Sequence, residues 1–577
     1  MTIDRSSAPS IAIIGASVRG TSLLERIIAS APELIAGPLD VHVVDPHPPG
    51  SGRIWREGQS PHLIMNTVAA QSTLFTDDSV QVSGPVVPGP SLAQWCLAVT
   101  ADPSLVALPD EVRAEAARTI GHSNPSRLLY GHYLRWCFAR IVNEAPAGLR
   151  VHVHAARAEA LEPLPPGWRI PLDDGTVIET DAAILATGWP DVDDSARHPL
   201  IVAADNPIDQ DLSTIAAGDV VAVQGLGMGF FDTLSQLTEQ RGGSYVDLPD
   251  GEVRYDASGR EPSIIAGSRR GMPYRAKPDF GAPPFFPEQR ILRAALPALH
   301  ARRPVDFARD VLPLIERDAA YDHIRALARL RPDAVRDPDA LLRALVETDE
   351  PIHELTARHI GDPALRPDLA QATDPVAPGA TGADIIAAVR RDAVEAALGL
   401  DSPLKLGLHS YAAARGAVID LVAFGGLTPE SFPAYRDFLA TAASFGSGPP
   451  LRRARQLVAA HDAGIVRFAS PGMTAGPSGD DVVVSAPGVA RLTVDRLVQA
   501  WRPAPSALRT TEPLARRLLD NGSARAWRFP DGTASDALEV RPEDGAVIGA
   551  DGLPTAGLFS VGVPHEDIRV FTIIAPV

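Results

Sequence analysis

The sequence predicts an α/β protein with two doubly wound βαβ units and a helical insertion. Two glycine-rich loops, beginning at Gly15 and Gly225, each follow a short apolar run and precede a segment whose apolar residues recur at helical spacing. From about residue 288 to 443 the helical spacing continues without strand signals. Strand-sized apolar runs return after Gly464, so a helical segment is expected to interrupt the α/β fold.

Length and composition limit the classes of protein that this chain can belong to. A chain of 577 residues is expected to form two or three domains. Its net charge of -18 disfavours nucleic acid and anionic membranes as partners. The two cysteines, Cys96 and Cys137, lack the spacing of a metal site or a disulfide framework, so we expect no metal. No leader-like or membrane-length apolar run is present, which predicts a cytoplasmic protein, and a homo-oligomer is compatible with these data.

The first predicted βαβ unit contains a strand at 11–14, a helix at 21–31 and a strand at 41–45. In its loop, Gly15 and Gly20 meet the outer requirements of a dinucleotide loop. Ser17 stands where the second glycine is expected, so its small side chain is either tolerated or bonds a phosphate oxygen. Asp45 ends the second strand and can accept hydrogen bonds from ribose. It lies farther along the chain than usual, which predicts an insertion at 32–39.

Three further signals extend this prediction to a second nucleotide. A loop with Gly225, Gly227 and Gly229 lies between a strand and a helix. The strand at 182–185 runs into Ala186-Thr187-Gly188, and this resembles the link between the two nucleotide domains of flavoproteins. A late strand at 558–561 precedes Gly562. The order of these signals predicts FAD in the first unit and a nicotinamide nucleotide in the second, whereas each loop alone could be an ordinary strand-turn-helix connection.

The same signals predict a discontinuous arrangement of domains. We expect an FAD-binding segment at 1–215, an NAD(P)-binding domain at 216–285, a helical insertion and substrate region at 286–450, and a return to both nucleotide-binding domains at 451–577. The predicted fold class is therefore two Rossmann-like, dinucleotide-binding domains with a helical insertion, and the family resemblance carried by the motifs at 50–55, 63–67 and 71–75 implies that they are of the flavoprotein monooxygenase type.

Several longer motifs carry a resemblance to a known family. The chain resembles the actinobacterial-type FAD/NAD(P)-binding proteins related to flavin N-hydroxylating monooxygenases, in segments spread over nearly all of its length: 50–55, 63–67, 71–75, 258–262, 268–271, 273–276, 422–426 and 509–514. That family includes aspartate N-oxygenases of diazo and hydrazine natural-product pathways, which form nitrosuccinate. Its members usually continue into a further helix beyond the residue at which this chain stops, and a shortened form is one interpretation that stays open.

The resemblance implies a reaction. NADPH reduces FAD, the reduced flavin reacts with oxygen, and the neutral amine of a small amino acid is oxidised, with L-aspartate to nitrosuccinate as the preferred assignment and antibiotic biosynthesis as the setting. Two alternatives remain open at this point. One is an NAD(P)H oxidase or flavin reductase without a coupled substrate, and the other is a nucleotide-binding protein without turnover.

The resemblance also implies a site for the flavin ring. Asn66, Thr67 and Gln71 match the family's segment after the first unit and are expected to bond the isoalloxazine edge. Asn66 and Gln71 are the candidate catalytic residues, and simple loop capping is the alternative for all three. Trp55 is the candidate aromatic platform for the flavin.

Two arginines predict which nicotinamide nucleotide binds. Arg269 and Arg270 follow a strand at 263–267, and guanidinium groups can pair with the 2′-phosphate of NADPH. Asp247 is a competing signal, because it lies near the position at which an acid that prefers NADH is expected. The resemblance favours NADPH over NADH, and solvated surface is the alternative for the arginines.

A dicarboxylic substrate requires local cations in this acidic protein. The candidates lie at the segments that flank the nucleotide unit and end the helical insertion, where a pocket facing the flavin could close: Arg275, Lys277, Lys405 and Arg415. For the nearby His409 we expect a structural role.

Overall fold

The structure is a computed structural model that describes residues 8–80, 82–191, 198–281, 285–369, 376–377, 379–529 and 531–572. The strands are β1 (Ser10–Ile14), β2 (Leu39–Val44), β3 (Leu149–His154), β4 (Glu162–Leu164), β5 (Gly167–Pro171), β6 (Val177–Thr180), β7 (Ala182–Leu185), β8 (Ile201–Val202), β9 (Val220–Gln224), β10 (Ser244–Asp247), β11 (Val253–Asp256), β12 (Ser263–Gly267), β13 (Val466–Phe468), β14 (Thr474–Ser478), β15 (Asp481–Ala486), β16 (Val489–Val494), β17 (Arg496–Gln499), β18 (Ala526–Arg528), β19 (Ala534–Leu538), β20 (Ala546–Ile548) and β21 (Pro554–Ser560).

The helices are α1 (Val18–Leu34), α2 (Leu92–Ala101), α3 (Asp110–Arg118), α4 (Arg127–Asn143), α5 (Met228–Leu237), α6 (Arg290–Ala301), α7 (Leu312–Leu330), α8 (Pro338–Glu347), α9 (Ile352–His359), α10 (Gly382–Ala397), α11 (Pro403–Ala417), α12 (Ile419–Val422), α13 (Phe432–Gly446), α14 (Leu451–Asp462), α15 (Pro513–Asp520) and α16 (Glu566–Arg569). Among the described residues, no helix combines the length and the apolar character needed to cross a bilayer.

The chain divides into two compact units. The first unit comprises Met1–Ser195, Ala423–Gly425 and Ala504–Val577, and the second comprises Ala196–Val422 and Gly426–Pro503. Each unit has its own sheet and its own buried cores. The finer boundaries expected at 215, 285 and 450 remain predictions.

The first unit is built around a six-stranded sheet in the order β20-β21-β7-β1-β2-β3. All neighbours are parallel except β20 and β21. Ile13 and Val43 pack into a core with α1, α2 and α4, while Ala12 and Val44 pack on the opposite face with β5 and β6. Because both faces of these strands are covered, the runs at 11–14 and 41–44 are almost continuously apolar.

The helix that follows the first loop corrects one expectation. The long distance from Gly15 to Asp45 does not come from an inserted loop at 32–39. Instead α1 continues for 17 residues and contains Pro32 in its last turn. Residues 35–38 alone connect it to β2. The first unit therefore keeps a simple strand–helix–strand order with a longer helix.

The second unit contains a parallel sheet in the order β13-β12-β9-β17-β8. The chain leaves β9 through α5 and forms the antiparallel hairpin β10–β11 before it reaches β12, the neighbour of β9 in the sheet. The hairpin is thus an insertion within the βαβ crossover. It follows that β12, and not β10, holds the position of the second Rossmann strand.

Helices α6–α13 form the helical part of the second unit, as the apolar spacing predicts. Phe307, Tyr435 and Phe438 pack ring against ring in its interior. The buried guanidinium of Arg317 donates hydrogen bonds to the carbonyls of Leu345 and Glu350, which anchors the end of α8 to α7. This part of the unit is stabilised mainly by helix–helix packing.

Candidate cofactor and substrate sites

The first glycine loop lies between the ends of β1 and β7. Gly15 has φ +100°, and a Cβ built on it would lie 2.3 Å from the carbonyl oxygen of Ala186. A Cβ on Gly20 would lie 1.9 Å from the carbonyl oxygen of Gly15. The Ala186-Thr187-Gly188 turn, with Gly188 at φ +75°, thus packs directly against the loop. Both outer positions of the loop require glycine.

The serine in the middle of this loop is accommodated by the glycine pair Gly50 and Gly52. Ser17 is the N-cap residue of α1, and its hydroxyl donates to the carbonyl of Ser51 at 3.3 Å. The N–H of Gly50 donates to the carbonyl of Ala16 at 2.7 Å. A Cβ on Gly52 would lie 2.4 Å from the Cβ of Ser17. The side chain missing at Gly52 therefore makes room for the side chain present at Ser17.

Asp45 fixes the same loop from the end of β2. Its carboxylate accepts the backbone N–H of Ala16 at 2.7 Å and that of His47 at 2.8 Å. Burial raises the pKa of Asp45, and these two hydrogen bonds oppose the shift. The structure therefore shows Asp45 as a residue that positions the loop. Its bond to a ribose remains a prediction.

Three polar residues predicted to bond the flavin edge lie on one half-buried segment: Asn66, Thr67 and Gln71. The segment is held by its backbone, since the N–H of Met65 donates to the carbonyl of Pro125 and the N–H of Ala69 donates to that of Ser123. Gln71 ends a 3-10 turn. The side chains are thus carried by a fixed backbone, and their role toward the flavin remains a prediction.

Trp55 is joined to the glycine pair by its backbone. Its N–H donates to the carbonyl of Ser51 at 3.2 Å, and its half-buried indole meets the ring of Tyr130 edge-on at 4.8 Å. A Cβ on Gly131 would lie 2.0 Å from the carbonyl oxygen of Trp55, so α4 approaches closely only because it carries glycine there. The platform role of Trp55 remains a prediction.

The return strand reaches the start of α1. Gly562 follows β21 with φ +89°, and a Cβ built on it would lie 3.3 Å from the side chain of Arg19. Arg19 also donates to the carbonyl of Thr572 at 3.0 Å, and burial lowers its pKa. The C-terminal segment of the first unit therefore packs beside the first turn of the helix that follows the glycine loop.

The second glycine loop packs against the end of β17. Gly225 has φ +101°, and its N–H donates to the carbonyl of Gly267 at 2.9 Å. A Cβ on Gly225 would lie 3.1 Å from the carbonyl oxygen of Ala500, and one on Gly229 would lie 2.6 Å from it. Gly229 therefore lets α5 approach the backbone that leaves β17.

Two aromatic residues flank this second loop. A Cβ on Gly227 would lie 3.4 Å from the ring of Tyr274, whose N–H donates to the carbonyl of Leu226 at 2.9 Å. A Cβ on Gly225 would lie 3.2 Å from the ring of Trp501. The second loop is thus bordered by two aromatic side chains.

Both loops fit the pyrophosphate of a dinucleotide. Each loop connects a buried parallel strand to the N-terminus of a helix, where unsatisfied N–H groups and the helix dipole favour phosphate. Each has glycines where a Cβ would meet backbone or ring atoms. In the first unit Gly15, Ser17 and Gly20 would hold FAD, and in the second unit Gly225, Gly227 and Gly229 would hold the nicotinamide nucleotide.

The sheet order separates the two competing signals for the nicotinamide nucleotide. Arg269 and Arg270 are exposed and follow β12, the strand beside β9, after one intervening serine. Asp247 ends β10, which lies in the hairpin outside the sheet, and both its carboxylate oxygens accept from Arg452. In a Rossmann unit the group that reads the ribose follows the neighbouring strand. Arg269 and Arg270 therefore occupy that position, and Asp247 does not.

Two of the four predicted substrate cations share one buried carboxylate. Asp392 on α10 accepts from Lys405 at 2.7 Å and from Arg275 at 3.4 Å. Its second oxygen accepts the N–H of Ala276 at 2.8 Å, while Lys405 donates to the carbonyl of Ala276 at 2.7 Å. Burial lowers the pKa of both cations, and Asp392 opposes that shift. Asp392 and Lys405 thus hold the backbone between Arg275 and Lys277 from both sides.

The other two cations influence each other. Burial and, as the smaller cause, the charge of Arg415 together lower the pKa of Lys277 to about 8. Arg415 donates to the hydroxyl of Ser447 at 3.0 Å, and its own pKa is lowered by burial and raised by Tyr274. Tyr274, the residue over the second glycine loop, therefore has a basic side chain in its surroundings.

His409 has the structural surroundings that were expected. Its Nε2 lies 3.1 Å from the carbonyl oxygen of Phe285, and its ring contacts that of Phe280 edge-on. Burial lowers its pKa to about 4, and the nearby charges of Lys277 and Arg415 act in the same direction. His409 is therefore neutral at neutral pH and adds no charge to the cation cluster.

Four residues that shape these sites were not found from the sequence: Gly52, Tyr274, Asp392 and Trp501. In the sequence, the Gly-Ser-Gly triplet that ends at Gly52 stands out only as part of a family segment. Asp392 directly follows Arg390 and Arg391 on α10, and nothing in this local sequence indicates its distant partners Arg275 and Lys405. Trp501 follows a strand in the same way as the loop glycines do, and this position was a usable signal.

Comparisons with known proteins agree with these features. A model of an FAD-NAD(P)-binding family matches residues 12–190. The chain is 34% identical to an L-aspartate N-monooxygenase (nitrosuccinate-forming) of Streptomyces davaonensis, over 97% of this chain and 93% of that protein. It is 36% identical to a nitrosuccinic acid synthase of Aspergillus oryzae, over 97% and 89% of the two chains.

Solved structures resemble the chain more distantly. The ornithine N-hydroxylase of Kutzneria sp. 744 covers 98% of this chain, and this chain covers 95% of it, with 13% identity and a TM-score of 0.39. A steroid monooxygenase bound to NADP has 12% identity and the same TM-score, with 98% of this chain and 82% of that chain covered. Likenesses of this size identify neither the function nor the substrate.

The relatives at 34–36% identity cover nearly the whole chain, and the glycine loops of both units fit the two nucleotides that the family model names. FAD and NAD(P) are therefore its cofactors. The chain is a flavoprotein oxidoreductase and belongs to the FAD/NAD(P)-binding N-monooxygenase family that includes the nitrosuccinate-forming L-aspartate N-monooxygenases.

Proposed function

We propose that this enzyme oxidises the amine of L-aspartate to form nitrosuccinate, with NADPH as the electron donor. The relatives named for this reaction support the choice of amino acid. The observation that carries the proposal within this chain is the cluster of Arg275, Lys277, Lys405 and Arg415 in the second unit, a local positive region in a protein of net charge -18. A substrate that carries two carboxylates needs such a positive region in its binding site.

The charges of the cluster suit a dicarboxylate. The carboxylates of Asp392 and Glu395 both act on Arg275 and Lys405. Asp392 holds these two cations by hydrogen bonds, whereas the charges of Lys277 and Arg415 repel each other. A bound carboxylate there would relieve the repulsion that lowers the pKa of Lys277. We therefore assign substrate binding to Lys277 and Arg415.

In this proposal Lys405 and Arg275 do not bind the substrate but donate hydrogen bonds to Asp392. Lys405 and Asp392 bond the carbonyl and the N–H of Ala276, the residue between Arg275 and Lys277. They fix the backbone that carries Lys277, and thereby restrict where its ammonium group can lie. Precise placement matters because a misplaced amine cannot accept the oxygen atom.

When bound and reduced by NADPH, FAD would activate molecular oxygen, and repeated rounds of this chemistry would supply both oxygen atoms that the nitrogen gains. The chain's own residues would hold the reactants. Gly15, Ser17 and Gly20 would hold the pyrophosphate of FAD, while Asn66, Thr67 and Gln71 would bond the edge of its ring and Trp55 would support it. Arg269 and Arg270 would pair with the 2′-phosphate of NADPH, since they follow the strand next to β9.

Product analysis tests the reaction. The enzyme is incubated with NADPH, oxygen and one amino acid at a time, with L-aspartate compared against L-asparagine, L-glutamate and D-aspartate, and products are identified by mass spectrometry. We expect an N-oxidised dicarboxylate from L-aspartate. NADPH consumption that yields hydrogen peroxide without an oxidised amino acid would indicate an oxidase, and an oxygenated product from a non-amine compound alone would contradict the proposal.

A further inference from the structure

We propose that the indole of Trp501 is the surface on which the nicotinamide half of NADPH stacks in the second unit. The inference rests on the nucleotide site proposed above, and it adds a residue that the glycine motif does not contain. It follows from the order of the strands, the contacts of the loop and the exposure of the ring.

The strand order gives the direction of the dinucleotide. Its pyrophosphate would lie at the Gly225 loop, which follows β9, the central strand between β12 and β17. Arg269 and Arg270 follow β12, so the 2′-phosphate and the adenosine half extend toward that side. The nicotinamide half must then extend from the pyrophosphate toward the side of β17.

Trp501 lies on that side of the loop. It is the second residue after β17, and its ring atom Cε3 would lie 3.2 Å from a Cβ on Gly225. The preceding residue, Ala500, is held by its N–H, which donates to the carbonyl of Gln224 at 2.8 Å. The backbone that carries the indole is therefore fixed to the strand that precedes the loop.

The indole is also available to a ligand. Trp501 is 40% exposed, although one part of its ring packs against the glycine loop. A large aromatic ring that is partly exposed beside a phosphate-binding loop can stack on a flat heteroaromatic ring. By alanine substitution, stacking of this kind changes affinity by roughly five- to a hundredfold per ring. Trp501 is moreover the one tryptophan in the sequence of the second unit.

The experiment compares NADPH with its adenosine half alone. Binding of NADPH and of adenosine 2′,5′-bisphosphate is measured by calorimetry on the FAD-loaded enzyme, without oxygen and with the flavin already reduced so that NADPH is not consumed. The variants are Trp501→Ala, Trp501→Phe and Arg269→Ala/Arg270→Ala, and Trp527→Phe in the first unit is the matched control. Flavin content is measured in each variant.

We expect Trp501→Ala to weaken NADPH about tenfold and to leave adenosine 2′,5′-bisphosphate unchanged. Trp501→Phe should keep most of the affinity, Trp527→Phe all of it, and the arginine variant should weaken both ligands. Unchanged NADPH affinity in Trp501→Ala, or equal weakening of both ligands, would overturn the inference, because the ring would then only pack against the loop. If the wild-type enzyme bound neither ligand, the proposed nucleotide site itself would be wrong.

Discussion

The two glycine loops follow one plan but are enclosed in different ways. The first loop is enclosed by backbone: the carbonyl of Ala186 lies against Gly15, and the glycine pair at 50–52 lies against Ser17. The second loop also meets a backbone carbonyl, that of Ala500 at Gly229, but it is bordered by rings as well: a Cβ on Gly225 would lie 3.2 Å from Trp501, and one on Gly227 would lie 3.4 Å from Tyr274. Backbone carbonyls held in a sheet cannot move aside, whereas side chains can change rotamer. The difference suits a permanently bound FAD in the first loop and an exchanging nucleotide in the second.

The largest effect is expected from a side chain at Gly15. Gly15→Val should abolish FAD binding, because the new Cβ would lie 2.3 Å from the carbonyl of Ala186 at a position with φ +100°. Gly225→Val should instead keep FAD and lose NADPH. Flavin absorbance and NADPH titration measure the two outcomes. Gly58→Ala is the control, since nothing lies within 4 Å of its Cβ position. Full flavin in folded Gly15→Val would contradict the comparison.

The next effect concerns the choice of nucleotide. Arg269→Ala/Arg270→Ala should lower the preference for NADPH over NADH roughly ten- to a hundredfold, because one charge-assisted bond to the 2′-phosphate contributes about 1.5–3 kcal/mol. The ratio of kcat/KM for the two nucleotides measures it. Asp247→Asn serves as the control and should not alter the ratio, since its carboxylate pairs with Arg452 outside the sheet. A change in Asp247→Asn alone would reverse the assignment.

A smaller effect is expected at the cation cluster, and it depends on pH. The pKa of Lys277 is about 8, so its charge is present below that pH and is lost as the pH rises through it. The KM for aspartate should therefore increase above pH 8. Lys277→Met should raise that KM about tenfold at neutral pH and release hydrogen peroxide, because one charge-assisted bond to the carboxylate is lost.

Lys277→Arg provides the matched control for this pH dependence. Its guanidinium stays charged throughout the range, so the rise of KM above pH 8 should disappear. If the wild-type and Lys277→Arg profiles were the same, another group would be responsible for the titration, and Lys277 would not bind the carboxylate.

The smallest effect separates the serine of the first loop from its compensating glycine. Gly52→Ala should weaken FAD severalfold, because its Cβ would lie 2.4 Å from that of Ser17. Ser17→Gly should have little effect alone, and the double variant should recover part of the loss; the remainder is backbone strain at φ +57°, about 1 kcal/mol. The dissociation constant of FAD is measured for the wild type, the two single variants and the double variant, which together form a double-mutant cycle. Strictly additive losses would show that the two side-chain positions do not interact.

Much of the fold could be predicted from the sequence because its signals are local. Apolar runs that end in glycine identified β1 and β9, and helical spacing identified the insertion. The hairpin β10–β11 could not be anticipated, because a strand-like run does not reveal which sheet it joins. As a result the sequence alone leaves both Asp247 and the pair Arg269 and Arg270 as candidates to contact the ribose of the nicotinamide nucleotide, and the sheet order separates them.

The candidate sites were less accessible from the sequence because they depend on long-range partners. The cations Arg275 and Lys405 were recognised by their type, but the carboxylate that they share lies on a helix more than a hundred residues after Arg275. Burial, which lowers the pKa of Lys277, likewise follows from packing and not from neighbours in the chain. The Ser17–Gly52 pair shows the same limit, since a departure from a motif can be compensated by a distant loop.

The most direct test of the proposed reaction traces the oxygen atoms. The enzyme is supplied with L-aspartate and NADPH under oxygen-18 gas, and the mass of the product is measured. The account predicts nitrosuccinate that carries oxygen-18 on its nitrogen, in amounts that follow NADPH consumption. Unlabelled aspartate together with hydrogen peroxide as the only reduced product of oxygen would contradict it.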